Sequence, residues 1–418
     1  MRLRQLPRAD LQEPVAWVRE RPRAAEELAL DLLGFDTQNP PGHTGDVVDW
    51  IEARAESWGI DSRRIVSDPD KPNVVLTIPG TGDRTILFNG HLDTVPHHRG
   101  RWTYDPLGER VGDRIYGRGA EDMKGPIASL LLAARAVAET DTTPPETLEF
   151  AFVADEETDA RHGTETLLAR GVDPDACVVC ETTSVVDLPS VTVAERGRVW
   201  VTLEAAGRAA HGSRPMFGVN AIDRLVDAID DCRRTLEAYR HPIDPGLEDV
   251  LEESVRFYAP AVGEATARRM FERPTVNLGT IAGGEAANSV PDRAVAELDV
   301  RIFPGVATGD VLSVVRETLA GHEGVAIQRV DPAAGTHEAP DSPVVGPAVE
   351  AARRITGDRV YRRCASGGSD ARLFRNAGVP AVEVGLGVGT AHTTDEYTTT
   401  DTLVGNAGIY ALLPYLYG

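Results

Sequence analysis

The chain has 418 residues, 42% of them hydrophobic and 26% charged, and a net charge of −22. That length makes room for two or three domains with a sizeable core, and the acid excess leaves little from which to build the basic face of a nucleic-acid binder. No apolar run approaches the roughly 18 residues a membrane span needs, and the opening MRLRQLPRADLQEPV lacks the apolar segment of a signal peptide. Four cysteines, Cys177, Cys180, Cys232 and Cys364, are too sparse for a disulfide framework, so a cytoplasmic location is expected. Lysine occurs only at Lys71 and Lys124. With the acid excess, this reads either as a salt-adapted acidic surface or as coding bias.

The first 190 residues alternate helical and strand patterns. Residues 22–35 and 46–58 carry apolar positions at helical spacing, and 73–78 and 85–90 read as strands. Residues 127–138 are apolar nearly all round, which predicts a buried helix, and strand patterns return at 148–154 and 176–180. Apolar strands separated by helices predict an α/β domain with a mainly parallel sheet covered on both faces. The style changes near residue 190. Residues 191–206 alternate as a half-exposed strand, followed by a helix at 219–239, strands at 275–282 and 294–303, a helix at 308–320 and a strand at 324–330. That β-α-β-β-α-β order predicts an inserted α+β domain with one open sheet face. Residues 241–272 are charged and helix-prone and find no place in it. A helix at 344–356, a Gly-rich loop at 364–370 and a strand at 380–387 then resume the first style. The expected organisation is a catalytic domain at 1–190 and 335–418, interrupted by a domain at 191–334.

Side chains able to do chemistry collect where these patterns end. His91 and Asp93 (GHLDTVP) follow the strand at 85–90, and Asp122 (GRGAEDMKG) precedes the buried helix. Glu156 and Glu157 (ADEET) end the strand at 148–154, Glu181 ends that at 176–180, and His392 (GTAHTTDEY) follows that at 380–387. In an open α/β sheet the loops at the carboxyl ends of the strands meet at one crevice. Three carboxylates and two imidazoles can hold two divalent ions if one carboxylate bridges, and oxygen and imidazole without thiolate suit zinc, cobalt or manganese. Such a pair of ions polarises a carbonyl and activates water. Successive side chains at 156 and 157 diverge, leaving one Glu for metal and one as general base. Taken singly, each group has a plainer reading: Asp122 as a helix cap, the Glu pair as a solvated strand end, His392 as a loop histidine. Their coincidence at the ends of one apparent sheet carries the metal reading.

Eight segments, in this order, carry a resemblance: NPPG at 39–42, GHLDTVP at 90–96, YGRGAEDMKG at 116–125, ADEE at 154–157, AHGSRP at 210–215, NSVPD at 288–292, GGSDAR at 367–372 and AHTTDEY at 391–397. Over nearly its whole length the chain resembles the acetylornithine deacetylase / succinyl-diaminopimelate desuccinylase family, which also contains glutamate carboxypeptidases and dipeptidases. The resemblance implies that Asp122 bridges two metal ions, with His91 and Glu181 completing one site and Glu157 and His392 the other. Glu156 would be the general base, Asp93 the acid supporting His91, and the Asp122-Met123 peptide cis. The inserted domain would form a lid and a homodimer interface. Its His211 would donate to the oxyanion, an interaction worth roughly 3–4 kcal/mol, and Asn288 and Arg301 would contact substrate. Arg301 could grip a substrate carboxylate bidentately, and Gly368 and Ser369 could present backbone N–H groups to an anion. Cys177 and Cys180 lie in an apolar strand pattern and read as buried structural thiols. The expected function is a dinuclear amidohydrolase, with zinc first and cobalt or manganese next, acting on a small N-acyl amino acid. The alternatives are a dipeptidase or carboxypeptidase and, remotely, a non-catalytic binding protein. Neither nucleic acid nor membrane is expected as a partner.

Overall fold

The computed structural model describes residues 12–158, 160–184 and 188–417. The opening residues 1–11, read above for their lack of an apolar segment, lie outside these. The chain divides into two compact units: one comprises residues up to Val193 with Glu338–Arg363 and Ser369–Gly418, the other Ala194–His337 with Cys364–Gly368.

The first unit is built on a mixed sheet. Its strands run in the order Asp61–Ile65, Asn73–Ile78, Thr147–Val153, Thr85–His91, Ala176–Val179, Ala381–Val384, Ser190–Glu195. The four central strands, Thr147–Val153 to Ala381–Val384, are parallel, while the margins pair antiparallel. The parallel expectation thus describes the centre, where strands are buried on both faces and read as unbroken apolar runs. Period-two alternation sends Val75, Leu87, Ala151, Val153 and Val179 to one face, packed with Leu167 and Phe374. On the other face Phe88 stacks on Phe150 at 5.2 Å and meets Tyr410 at 6.2 Å. Tyr410 belongs to the helix Thr400–Leu412, which has a buried face all round and packs on the helix Lys124–Ala138. The latter is buried at nearly every position, as its apolar sequence predicts. Its start needs Gly125, where a Cβ would lie 2.1 Å from the carbonyl oxygen of Ala120.

The stretch at 191–206 is two strands, not one. Ser190–Glu195 is wholly buried in the first sheet, whereas Gly197–Ala206 alternates and belongs to the second unit. There the sheet order is Thr275–Gly283, Arg293–Ile302, Gly197–Ala206, Val325–Ala333, all antiparallel. Val199, Val201, Leu203 and Ala205 point to the buried face, which the helices Ala221–Ala238 and Thr308–Leu319 cover, while Trp200 is 43% exposed on the open one. Residues 241–272, unplaced from sequence, contain the helices Glu248–Val262 and Glu264–Glu272, packed on each other. No helix among the described residues is long and apolar enough to cross a membrane.

Candidate metal centre and active site

Parallel strands share one carboxyl edge, and the first unit places its ligands along it. His91 is the last residue of Thr85–His91, Glu156 and Glu157 lie three and four residues past Val153, and Glu181 lies two past Val179. His392 follows Ala381–Val384 on a longer loop, at a φ of 63°. Asp122 sits just before the helix Lys124–Ala138, and the Asp122-Met123 peptide is cis. Asp122 does not cap that helix, whose N-cap position is Met123 and which has no side-chain cap bond. Its carboxylate faces two imidazoles instead. Oδ1 lies 3.1 Å from Nε2 of His91, and Oδ2 lies 3.0 Å from Nε2 of His392. Glu181 Oε1 stands 3.0 Å from the same atom of His91, and Glu157 Oε1 stands 3.2 Å from that of His392. Ligand atoms of His91, Glu156 and Glu181 lie within 4.8 Å of one another, as do those of His91, Asp122 and Glu157.

The backbone settles the tautomer of His91. Its Nδ1 is 2.9 Å from the carbonyl oxygen of Asp93, a group that only accepts, so Nδ1 keeps its proton; burial opposes charging the ring, but Asp122, Asp93 and Glu181 hold it protonated well above the usual range, and Nε2 is the atom that would give up its proton to an ion. Asp93 thus orients His91 mainly through its main chain, its carboxylate Oδ1 lying at 3.6 Å. That carboxylate is engaged elsewhere. It accepts from the Asn39 amide at 2.9 Å and from the N–H groups of Glu156 and Glu157 at 3.1 and 3.2 Å, fixing the turn that presents the Glu pair. Burial pushes the Asp93 acid up, but His91, Asn39 and the Glu156 N–H outweigh it and hold the group below the usual range. Asn39 also donates to Asp155 at 2.9 Å, and Lys71 pairs with Asp155, so the NPPG segment and one of the two lysines brace the same turn.

The electrostatics fit a cation pair. Burial, then the neighbouring Asp122, raises the Glu181 acid to about 7, and burial, reinforced by Asp370 and Glu181, raises Glu156 well above its ordinary value. His392 is held protonated up to about 10 by its bonds to Asp122 and Glu157. Packing four carboxylates around two imidazoles is costly for an ion-free site, and nitrogen and oxygen donors without thiolate suit zinc, cobalt or manganese.

The other expected groups divide between the two units. His211, on the second unit, is exposed, and its Nδ1 accepts from the Ser213 N–H at 3.2 Å, which leaves Nε2–H as a donor. Asn288 is next to it, since its carbonyl accepts from Gly212 at 2.7 Å. Arg301 is not beside them. It stands at the far end of Arg293–Ile302, eight residues from Arg293 and hence roughly 27 Å along an extended strand. Its Nε is bound to Asp299 at 2.8 Å. Gly368 is exposed on the second unit, while Ser369, on the first, donates to Glu383 at 2.8 Å and accepts from the Ala371 N–H at 3.1 Å. All four cysteines are buried and outside any disulfide, as expected for Cys177 and Cys180.

Sequence reasoning passed over Asp370, Glu121 and Glu396, although each lies inside one of the quoted motifs. Asp370 is buried beside the cluster, bonded to Thr164 at 2.7 Å, and raised to about 6 by burial. Only Glu121 carried a local signal, an acid written directly before a ligand; Asp370 and Glu396 have no ligand beside them in sequence.

Comparison with known proteins identifies the family. The profile of peptidase family M20/M25/M40 matches residues 87–415. A succinyl-diaminopimelate desuccinylase of Novosphingobium aromaticivorans is 33% identical, over 90% of this chain and 94% of that one. An acetylornithine deacetylase of Vibrio cholerae is 31% identical over 65% of this chain and 64% of its own length. The crystal structure of human carnosine dipeptidase 1 shares the fold, with a TM-score of 0.75 at 17% identity, covering 99% of both chains. The chain belongs to peptidase family M20/M25/M40 and is a metal-dependent hydrolase of amide or peptide bonds.

Proposed function

We propose that the protein holds two divalent ions, zinc by preference and cobalt or manganese next, and removes the acyl group from a small N-acyl amino acid. One observation carries the reading: the two oxygens of Asp122 each face a different imidazole, at 3.1 and 3.0 Å. His91, Asp122 and Glu181 would hold one ion, and His392, Asp122 and Glu157 the other. Bound there, the pair would supply Lewis acidity to the scissile carbonyl and to the attacking water. Glu156 accepts the proton of that water and returns it to the departing amine, a role suited to a buried carboxyl with a raised proton affinity. Asp93 keeps the Glu156 turn and His91 in register. His211, carrying its proton on Nε2, is the proposed donor to the tetrahedral oxyanion, and Asn288 beside it a substrate contact. Arg301, Gly368 and Ser369 remain proposed substrate contacts on resemblance alone.

The acyl-amine preference is supported by the names of the relatives, a desuccinylase and a deacetylase. A homodimer through the second unit and a cytoplasmic location belong to the same proposal, the latter supported by four cysteines outside any disulfide. The test is a panel of N-acetyl- and N-succinyl-amino acids beside dipeptides, run on metal-free protein reloaded with zinc, cobalt or manganese. Turnover of the acyl amino acids supports the reading. Cleavage of dipeptides alone replaces it with a dipeptidase, and no turnover of any amide by a fully loaded protein supports a binding role.

A further inference from the structure

Two buried carboxylates flank the bridging aspartate and take no part in the ligand set. Glu121 is 3% exposed, and its side chain goes to the turn that precedes His392. Oε1 accepts the N–H groups of Val388 at 2.8 Å and Gly389 at 2.7 Å, while Oε2 accepts the N–H of Thr390 and, at 2.7 Å, its hydroxyl. Gly387 admits the carboxylate, for a Cβ there would lie 2.5 Å from Glu121 Oε1. Glu396, four residues beyond His392, returns the contact. Its Oε1 accepts the N–H groups of Glu121 and Asp122, both at 2.9 Å, and its Oε2 pairs with Arg118. Its backbone carbonyl accepts from Gly117 at 3.0 Å. Each carboxylate therefore holds the main chain that presents the other segment's ligand.

His392 needs such a device more than the other ligands do. His91, Glu157 and Glu181 stand at or within four residues of strand ends, whereas His392 is eight residues past Val384 and its side chain is 52% exposed. Loops hold ligands less exactly than strands, so a loop ligand depends on bonds behind it. Carboxylate-to-N–H bonds are among the strongest available for the purpose.

We infer that Glu121 is a positioning residue that pre-sets the 388–390 turn, and through it the His392–Asp122–Glu157 half of the metal centre, leaving the His91–Asp122–Glu181 half untouched. The inference rests on the two-ion reading proposed above. Metal-free wild type, Glu121→Gln and Thr390→Val can be titrated with Co2+, following heat and the visible spectrum, with amide exchange across 388–390 measured before metal is added. In wild type, two ions bind and the 388–390 amides are protected without metal. In Glu121→Gln the first ion binds as in wild type, the second binds about 10–100-fold more weakly with an altered visible band, and those amides exchange faster. Thr390→Val removes only the hydroxyl bond and weakens the second ion less. Two ions bound by Glu121→Gln with wild-type affinities and spectrum overturn the inference, as does equally fast exchange of 388–390 in wild type. Should Glu121→Gln not fold, an unchanged second affinity in Thr390→Val overturns it. Wild type that takes fewer than two ions overturns the two-ion reading itself and the inference with it.

Discussion

Replacing Glu156 with Gln removes a proton acceptor and leaves the shape of the site unchanged. Its main chain is held by Asp93 at 3.1 Å, so the turn keeps its place. Neither of the closest imidazole contacts uses it, because His91 faces Asp122 and Glu181 while His392 faces Asp122 and Glu157. The variant should therefore hold two ions per chain and keep KM within a few-fold of wild type. The lost step is proton transfer, worth about 10²–10⁴ in rate, or roughly 3–5 kcal/mol of barrier. Steady-state kinetics on the best acyl substrate, beside metal analysis of the same preparation, reads both quantities. Glu157→Gln is the contrasting variant and should lose an ion. A Glu156→Gln enzyme with kcat within tenfold of wild type refutes the assignment of the base. One that loses an ion shows that Glu156 is a ligand and that the two roles have been exchanged.

Metal uptake at pH 7 should release protons, because His392 stays protonated up to about 10 and Glu181 titrates near 7 in the metal-free site, yet both must be deprotonated to ligate. Calorimetry in buffers of different ionisation enthalpy measures this, with affinity rising as pH rises; zero release contradicts the ligand set. Arg118→Met should destabilise the fold by roughly 3–5 kcal/mol, since it strands the fully buried Glu396 carboxylate, and denaturant unfolding showing less than 1 kcal/mol would remove that pair from the account. His241 is lowered from 6.5 to about 4 by burial and then by Arg196. The unfolded chain therefore binds more protons between those values, and stability contributed by His241 is lost as pH falls from 6.5 to 4. His241→Gln should flatten that part of the stability profile, and an unchanged slope would show that the group titrates normally.

Much of the first unit is legible because its elements are strongly patterned. The helix Lys124–Ala138 and the strand Thr85–His91 are apolar where they are buried, and both fall within a few residues of their expected bounds. Other elements resist for physical reasons. Thr400–Leu412 is buried all round yet carries Thr, Asn and Gly, so neither an amphipathic stripe nor a continuous apolar run announces it. The break at Arg196 is hidden because Ser190–Glu195 and Gly197–Ala206 are adjacent β-rich segments, and only three-dimensional burial separates a two-sided strand from a one-sided one. The proposed ligands could be picked out because His91, Glu157 and Glu181 lie at or near strand ends and because the quoted motifs of the resemblance add Asp122 and His392. What stands behind them could not: Glu121 and Glu396 act on the backbone about 270 residues away in sequence, at 388–390 and at 121–122 respectively, and no local pattern encodes such a pairing.

Crystals of the zinc-loaded protein, with anomalous diffraction collected on both sides of the zinc edge, bear most directly on the reading. Two peaks about 3.5–4 Å apart are predicted, one among His91, Asp122 and Glu181 and the other among His392, Asp122 and Glu157. A single peak, or a pair that leaves Asp122 bound to one ion only, would contradict the shared carboxylate from which the rest is argued.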